Sequence, residues 1–170
     1  MTSIGNNTGQ LSATVHKGAT LGPGRVEGTT ALQLDGVGRT PADGQHVSID
    51  GGITVGGGPF TACAWAKWGK FGRYSRVIDI GNGPESDNIV LCNVGTTSTL
   101  AWYITRGDTQ KAVYIGNILQ LNTWTYICGT VSASGYMAVL LNGVEQKCTS
   151  GNACGTSTGK GTNGWMPIRL

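Results

Sequence analysis

"TWTYICGTVSASGYMAVLLNG", residues 123–143, holds two apolar runs on either side of a short polar break. The runs are rich in β-branched and aromatic residues, and Ser132-Ala133-Ser134-Gly135 between them is a glycine-bearing loop of hairpin length. Leu141-Asn142-Gly143-Val144 follows as a tight Asn-Gly turn. Together they read as an antiparallel hairpin, and a chain that turns back on itself twice within about twenty residues belongs to an all-β fold.

The rest of the chain repeats the pattern. No window sustains an apolar period of 3.6 residues; short apolar runs instead recur about every ten residues, separated by Gly, Asn, Asp, Ser and Thr. The expected strands are 31–35 (ALQLD), 46–50 (HVSID), 60–68 (FTACAWAKW), 76–81 (RVIDIG), 88–94 (NIVLCNV), 100–105 (LAWYIT), 112–116 (AVYIG), 124–131 and 136–143, with 166–170 (MPIRL) as another. In 60–68, Phe60, Ala62, Ala64, Ala66 and Trp68 alternate with Thr61, Cys63, Trp65 and Lys67, so both faces carry apolar groups, as in a central strand. The stretches 1–30 and 143–164 are rich in Gly, Thr, Ser and Asn and read as loops. No internal repeat or domain boundary stands out, and the sandwich or barrel is read as a single domain over 1–170.

Composition narrows the function. The 170 residues include 29 glycines, and charged residues make up only 12%, about half the usual share. The net charge of +3 is scattered; the densest run, 67–76, holds Lys67, Lys70, Arg73 and Arg76, which is no nucleic-acid-binding stripe. No segment reaches the roughly 18 apolar residues of a membrane span. Asn6-Asn7-Thr8 fits a glycosylation acceptor.

The five cysteines, at 63, 92, 128, 148 and 154, form no C-x-x-C pair, and His16 and His46 lie far from them, so spacing argues against zinc. Two disulfides with one free thiol, or five thiols in a reducing compartment, remain open.

In residues 81–93 (GNGPESDNIVLCN), Asp87 and Asn88 stand just before an apolar run. They can cap a turn through backbone amides. They can form part of a calcium site, with Asn82 and Glu85 near enough in sequence to help, and Asp79 and Asp35 as further candidates. A catalytic carboxylate is the third reading. Glycosidases need two carboxylates roughly 5 to 10 Å apart, whereas Glu27, Glu85 and Glu145 are isolated and no strand carries alternating acids. Two histidines in loop-like surroundings are poor grounds for a Ser-His-Asp set. The reading is non-enzymatic.

Metal-free sugar binding uses exposed aromatic rings beside polar groups. Residues 67–76 (KWGKFGRYSR) form a glycine-broken, cationic, aromatic loop between strands, and loops on a rigid sandwich carry binding residues. Trp68, Phe71, Arg73 and Tyr74 are therefore the candidate ligand contacts. Trp65 and Trp124, inside apolar strands, are expected to pack in the core.

In order and spacing, ALQLDG (31–36), HVSI (46–49), FTACAWAKW (60–68), RVIDIGNG (76–83), DNIVL (87–91), LNTWTYICGTV (121–131) and MAVLLNG (137–143) resemble the laminin-G-like, pentraxin-like and concanavalin-A-like group. The resemblance covers roughly residues 10 to 170 and implies a two-sheet antiparallel jelly-roll sandwich. In the pentraxin-like members, a Phe-Thr-x-Cys strand is bridged to a later Ile-Cys strand followed by Ser-x-Ser-Gly; the matching residues imply a Cys63–Cys128 disulfide. Cys148 and Cys154 bracket a small loop that a second bridge would pin, and Cys92 is left as a buried small residue. The same members use an Asp-Asn pair at the position of Asp87-Asn88 as calcium ligands. Their remaining ligands come from an acidic loop after the strand matching 166–170, whereas Glu145 is the last carboxylate side chain here.

The family pattern also has an opening strand before residues 3–9 and closing strands after 170, so a piece of a longer protein, or completion of the sheet by neighbouring protein chains, is expected. The function implied is an extracellular or cell- or particle-surface module that binds a glycan or glycoprotein, with calcium as a possible cofactor. The alternative is a structural subunit of a filament, matrix or particle.

Overall fold

The computed structural model describes residues 12–37, 44–49, 55, 58–81, 87–107 and 109–146. Among them there is no helix, and twelve strands pair throughout in antiparallel fashion. The chain divides into two compact units, Met1–Ile53 and Thr54–Leu170.

In the first unit, β1 (Ala13–His16) pairs with β4 (His46–Ile49), and β2 (Thr20–Pro23) pairs with β3 (Thr30–Gln33). β1 and β2 correct the loop reading of 1–30. Each is four residues long, β1 running into the Lys17-Gly18 turn and β2 ending at Pro23, too brief for alternation to register. The β2–β3 connection closes through Gly24 N–H donating to Thr29 O at 2.8 Å. Asp35 is a turn residue: Val37 N–H donates to its Oδ1 at 2.9 Å.

The second unit is a sandwich. One sheet runs in the order β6 (Arg76–Ile80), β7 (Ile89–Asn93), β8 (Leu100–Arg106), β9 (Thr109–Ile115). The other runs β12 (Val144–Glu145), β11 (Met137–Leu141), β10 (Thr125–Val131), β5 (Phe60–Ala66). The hairpin expected at 123–143 is β10–β11, closed by Ser132 N–H donating to Tyr136 O and Gly135 N–H to Ser132 O, both at 2.9 Å. Asn142 and Gly143, at φ 50° and 85°, make the β11–β12 turn. Positive φ at both central residues is what a two-residue hairpin needs, and Asn-Gly tolerates it. β12 corrects the loop reading after 143.

Alternation assigns the inner faces. Ile89, Leu91, Leu100, Trp102, Ile104 and Ile115 of one sheet share a core with Ile127, Val131, Val139 and Leu141 of the other. At its centre the two sheets come unusually close. A Cβ added to Gly129 would lie 2.3 Å from Trp102 Cδ2, so the indole rests on bare backbone. Its Nε1–H donates to Thr130 O at 3.2 Å, and Phe60 meets it edge-on with ring centroids 5.8 Å apart. Burying this ring with its one polar hydrogen satisfied joins the sheets.

Cys63 and Cys128 stand directly opposite each other on β5 and β10, with Cα atoms 4.1 Å apart, and are disulfide-bonded. Cys92 is a buried free thiol. Cys148, Cys154 and the strand expected at 166–170 lie outside the described residues. Among those described, β5 ends its sheet rather than lying within it. Its outer face is correspondingly open: Trp65 is 44% exposed and meets Tyr126 at 5.3 Å between ring centroids, which corrects its assignment to the core.

Candidate functional site

The end of β7 organises the loop that leads into β6. Asn93 is completely buried, and a buried amide must be hydrogen-bonded. Its Nδ2 donates to Gly72 O at 2.9 Å and Gly95 O at 2.8 Å, while its Oδ1 accepts from Ser75 N–H at 2.9 Å. Its own N–H donates to Ser75 O at 3.2 Å. One side chain thus ties the 72–75 segment to the turn at 95. Tyr74 N–H donates to Gly95 O at 2.9 Å, and Tyr74 adopts φ 54°, the left-handed region that non-glycine residues seldom enter. Such a conformation costs on the order of 1–3 kcal/mol and persists only when its surroundings fix it. The Asn93 bonds fix it here.

The four contacts expected on this loop divide into two pairs. Trp68 is buried in the core, its carbonyl accepting from Asn122 N–H at 2.7 Å, and Phe71 packs half-buried against the same core. Those rings anchor the loop instead of facing solvent. They are apolar enough to reach the inter-sheet layer, which the glycines on either side of Lys70 and Phe71 allow. Arg73 and Tyr74 remain outside, Tyr74 46% exposed.

Beside this loop lies the outer face of the β6–β9 sheet. Alternation opposite to the core places Val90, Cys92, Ala101, Tyr103 and Tyr114 there, with Tyr103 and Tyr114 half-buried against the fully buried aliphatic layer. A β-bulge between Arg76 and Ile78 shifts the register of β6. Arg76 and Asp79, three residues apart, form a charge-assisted pair on this strand. Tyr114 Oη donates to Gln110 Oε1 at 3.4 Å, and Gln110 Nε2 to Thr105 Oγ1 at 3.3 Å.

Burial pushes the Tyr103 phenol up to about 12, with the neighbouring Cys92 thiol adding to it. Tyr114 moves in the same direction through burial, Cys92 and Tyr74. The Cys92 thiol is itself pushed up to about 12 by burial, against the pull of Arg76. At neutral pH the face therefore offers neutral phenols, a carboxamide and one guanidinium–carboxylate pair. Neutral hydroxyls and planar rings bind uncharged polyols through hydrogen bonds and stacking. Asn93 and Tyr114 were not among the residues picked out by sequence, whereas Tyr103 stood among its aromatic candidates. Their signal was present in the alternation of β7 to β9, but which face lies inside emerges only from pairing.

The Asp87-Asn88 pair behaves as a turn. Asp87 sits at φ 48° with its Oδ1 accepting from Gly107 N–H at 3.2 Å. Asn88 is buried, its Oδ1 occupying the space that a Cβ on Gly81 would need, and its carbonyl accepts from Thr105 N–H at 2.7 Å. Asn82 and Glu85 lie outside the described residues. Calcium takes six to eight oxygens, and Asp87 and Asn88 alone supply only part of such a sphere. Among the described residues no group of three or more His, Cys, Asp or Glu could hold a metal ion.

Two facing antiparallel sheets with a braced loop beside an outer sheet face define a lectin-like binding module. The family model of the concanavalin A-like lectin/glucanases superfamily, in its laminin G branch, matches residues 41–166, and the chain belongs to that superfamily. No curated protein and no solved structure matches it. Among the described residues no helix is long and apolar enough to cross a membrane.

Proposed function

We propose that this chain is a non-enzymatic, extracellular carbohydrate-recognition module that binds a glycan or glycoprotein on the surface formed by Arg73, Tyr74, Tyr103 and Tyr114. The observation that carries the reading is the Asn93-braced loop, which holds an exposed tyrosine in a strained backbone conformation next to a face of half-buried tyrosines. Strain of this kind gathers at sites where a side chain must be held for a ligand. The Cys63–Cys128 disulfide fits an oxidising compartment. Asp79, the carboxylate placed on this face, is paired with Arg76, which supports binding rather than hydrolysis.

A glycan array probed with the chain, with and without chelator, tests the proposal together with Tyr74→Ala and Arg73→Ala. Binding that survives chelation and falls at least tenfold in either variant is the expected result. Binding abolished by chelation and indifferent to both variants transfers recognition to a calcium site that includes Asp87. Binding to no glycan overturns the proposal in favour of a structural assembly subunit.

A further inference from the structure

The two histidines of the sequence, thirty residues apart, are brought face to face in the first unit. β1 and β4 pair so that His16 lies directly opposite His46. The two imidazoles stack with centroids 4.3 Å apart and planes within 10°. We propose that His16 and His46 form a two-imidazole chelate for a borderline transition-metal ion of the zinc, copper and nickel type.

The hydrogen bonds on the rings carry the proposal beyond proximity. His46 Nδ1 lies 2.9 Å from Gly44 O, and a carbonyl only accepts, so Nδ1 carries the hydrogen and Nε2 keeps its lone pair. That is the arrangement of a metal-bound imidazole, whose other N–H is held by a backbone carbonyl or carboxylate. His16 Nε2 lies 2.9 Å from Ser48 Oγ. The hydroxyl can accept, which leaves Nδ1 of His16 as its ligating atom. Each ring thus has one nitrogen hydrogen-bonded to a neighbour and one to offer.

Imidazole ligands select zinc, copper, nickel or iron over calcium and magnesium. In the stacked state the two lone pairs lie in parallel planes. Converging them takes rotation of the His16 ring about χ2, a broad torsion for histidine, which gives up its bond to the Ser48 hydroxyl while His46 keeps its carbonyl-held Nδ1. The ion would stand in for the stacking contact. Two imidazoles fill half of a tetrahedral zinc sphere, leaving two positions for water or for oxygens of an incoming ligand.

The competing explanation is a cross-strand aromatic pair that serves the sheet alone. His16→Phe and His46→Phe separate the two, because each preserves a planar ring for stacking and removes one ligand. Zinc titration of the full chain by calorimetry is expected to show a site whose affinity falls about 100-fold in either variant, as a chelate losing one of two arms does. In the unsubstituted chain, the ring-nitrogen resonances of both histidines should shift on zinc addition. Unmoved resonances at millimolar zinc, or uptake equal in all three chains, overturn the proposal. The resonance measurement decides even where a phenylalanine variant fails to fold.

Discussion

Replacing Gly129 with alanine tests whether the two sheets are joined where Trp102 meets bare backbone. The added methyl would lie 2.3, 2.5 and 2.7 Å from Trp102 Cδ2, Cε3 and Cε2, well inside contact distance. The indole cannot give way cheaply, since it is completely buried, bonded to Thr130 O and flanked by Phe60. Overpacking of a dense core costs about 1–3 kcal/mol and occasionally more. Against this, alanine in a strand gains roughly 0.5–1 kcal/mol over glycine in backbone entropy. The clash involves three ring atoms with nowhere to move, so it wins, and the net loss should be about 2 kcal/mol. For a unit of this size that lowers Tm by roughly 6–10 °C. Urea unfolding followed by near-ultraviolet circular dichroism measures the loss, and Trp102→Leu supplies the control. With the large ring gone, Gly129→Ala should become neutral or slightly stabilising, giving a coupling of about 2 kcal/mol between the two positions. A neutral Gly129→Ala, or one equally damaging in both backgrounds, refutes this account of the core.

Three further outcomes follow from the sulfur atoms. Replacing Cys63 and Cys128 together with alanine should cost about 4 kcal/mol in urea unfolding, because the bridge spans 65 residues of sequence and the entropy of the opened chain rises with that length; a loss under 1 kcal/mol would mean that the strand register alone holds β5 to β10. Cys92 should resist alkylation at pH 8 in the folded chain and react on unfolding. Its folded thiol keeps its proton to about 12 while the unfolded one loses it near the ordinary value of 9.0, and Tyr103 likewise moves from 10.0 to about 12. Between roughly pH 9 and 12 the unfolded state therefore binds fewer protons, and stability falls as pH rises through that window. Cys92→Ala should flatten the decline; an unchanged profile would place the titration elsewhere.

The hairpin at 123–143 was legible because turn chemistry and apolar runs agree there, with Gly135 and the Asn142-Gly143 pair supplying the positive φ that the turns use. The Cys63–Cys128 bridge came from resemblance rather than spacing, since five cysteines allow several pairings. β1, β2 and β12 were missed for a physical reason: strands of two to four residues contain too few alternations for a period to show. The loop 67–76 was recognised, yet its four contacts could not be sorted. Trp68 and Phe71 differ from Tyr74 in where the core happens to lie, and a strand's period fixes that two faces differ without saying which is inner. Asn93 was invisible for a stronger reason. Its partners Gly72, Ser75 and Gly95 offer only backbone atoms, which leave no trace in residue identity.

The core and the proposed recognition surface are two readouts of one register. On β8, Leu100, Trp102 and Ile104 face the opposing sheet while Ala101, Tyr103 and Thr105 face away. A slip of one residue against β7 would drive Tyr103 into the place of Trp102 and turn the indole out to solvent. It would also move β7 relative to the loop that Asn93 holds, because Asn93 opposes Leu100 at the same end of the pairing. The glycine under Trp102 and the buried amide of Asn93 therefore guard the same alignment at two points along the sheet. A substitution that loosens the Trp102–Gly129 contact should disturb Tyr74 and Tyr103 without touching either. For the same reason, loss of binding in a core variant is no sign that the core residue meets ligand.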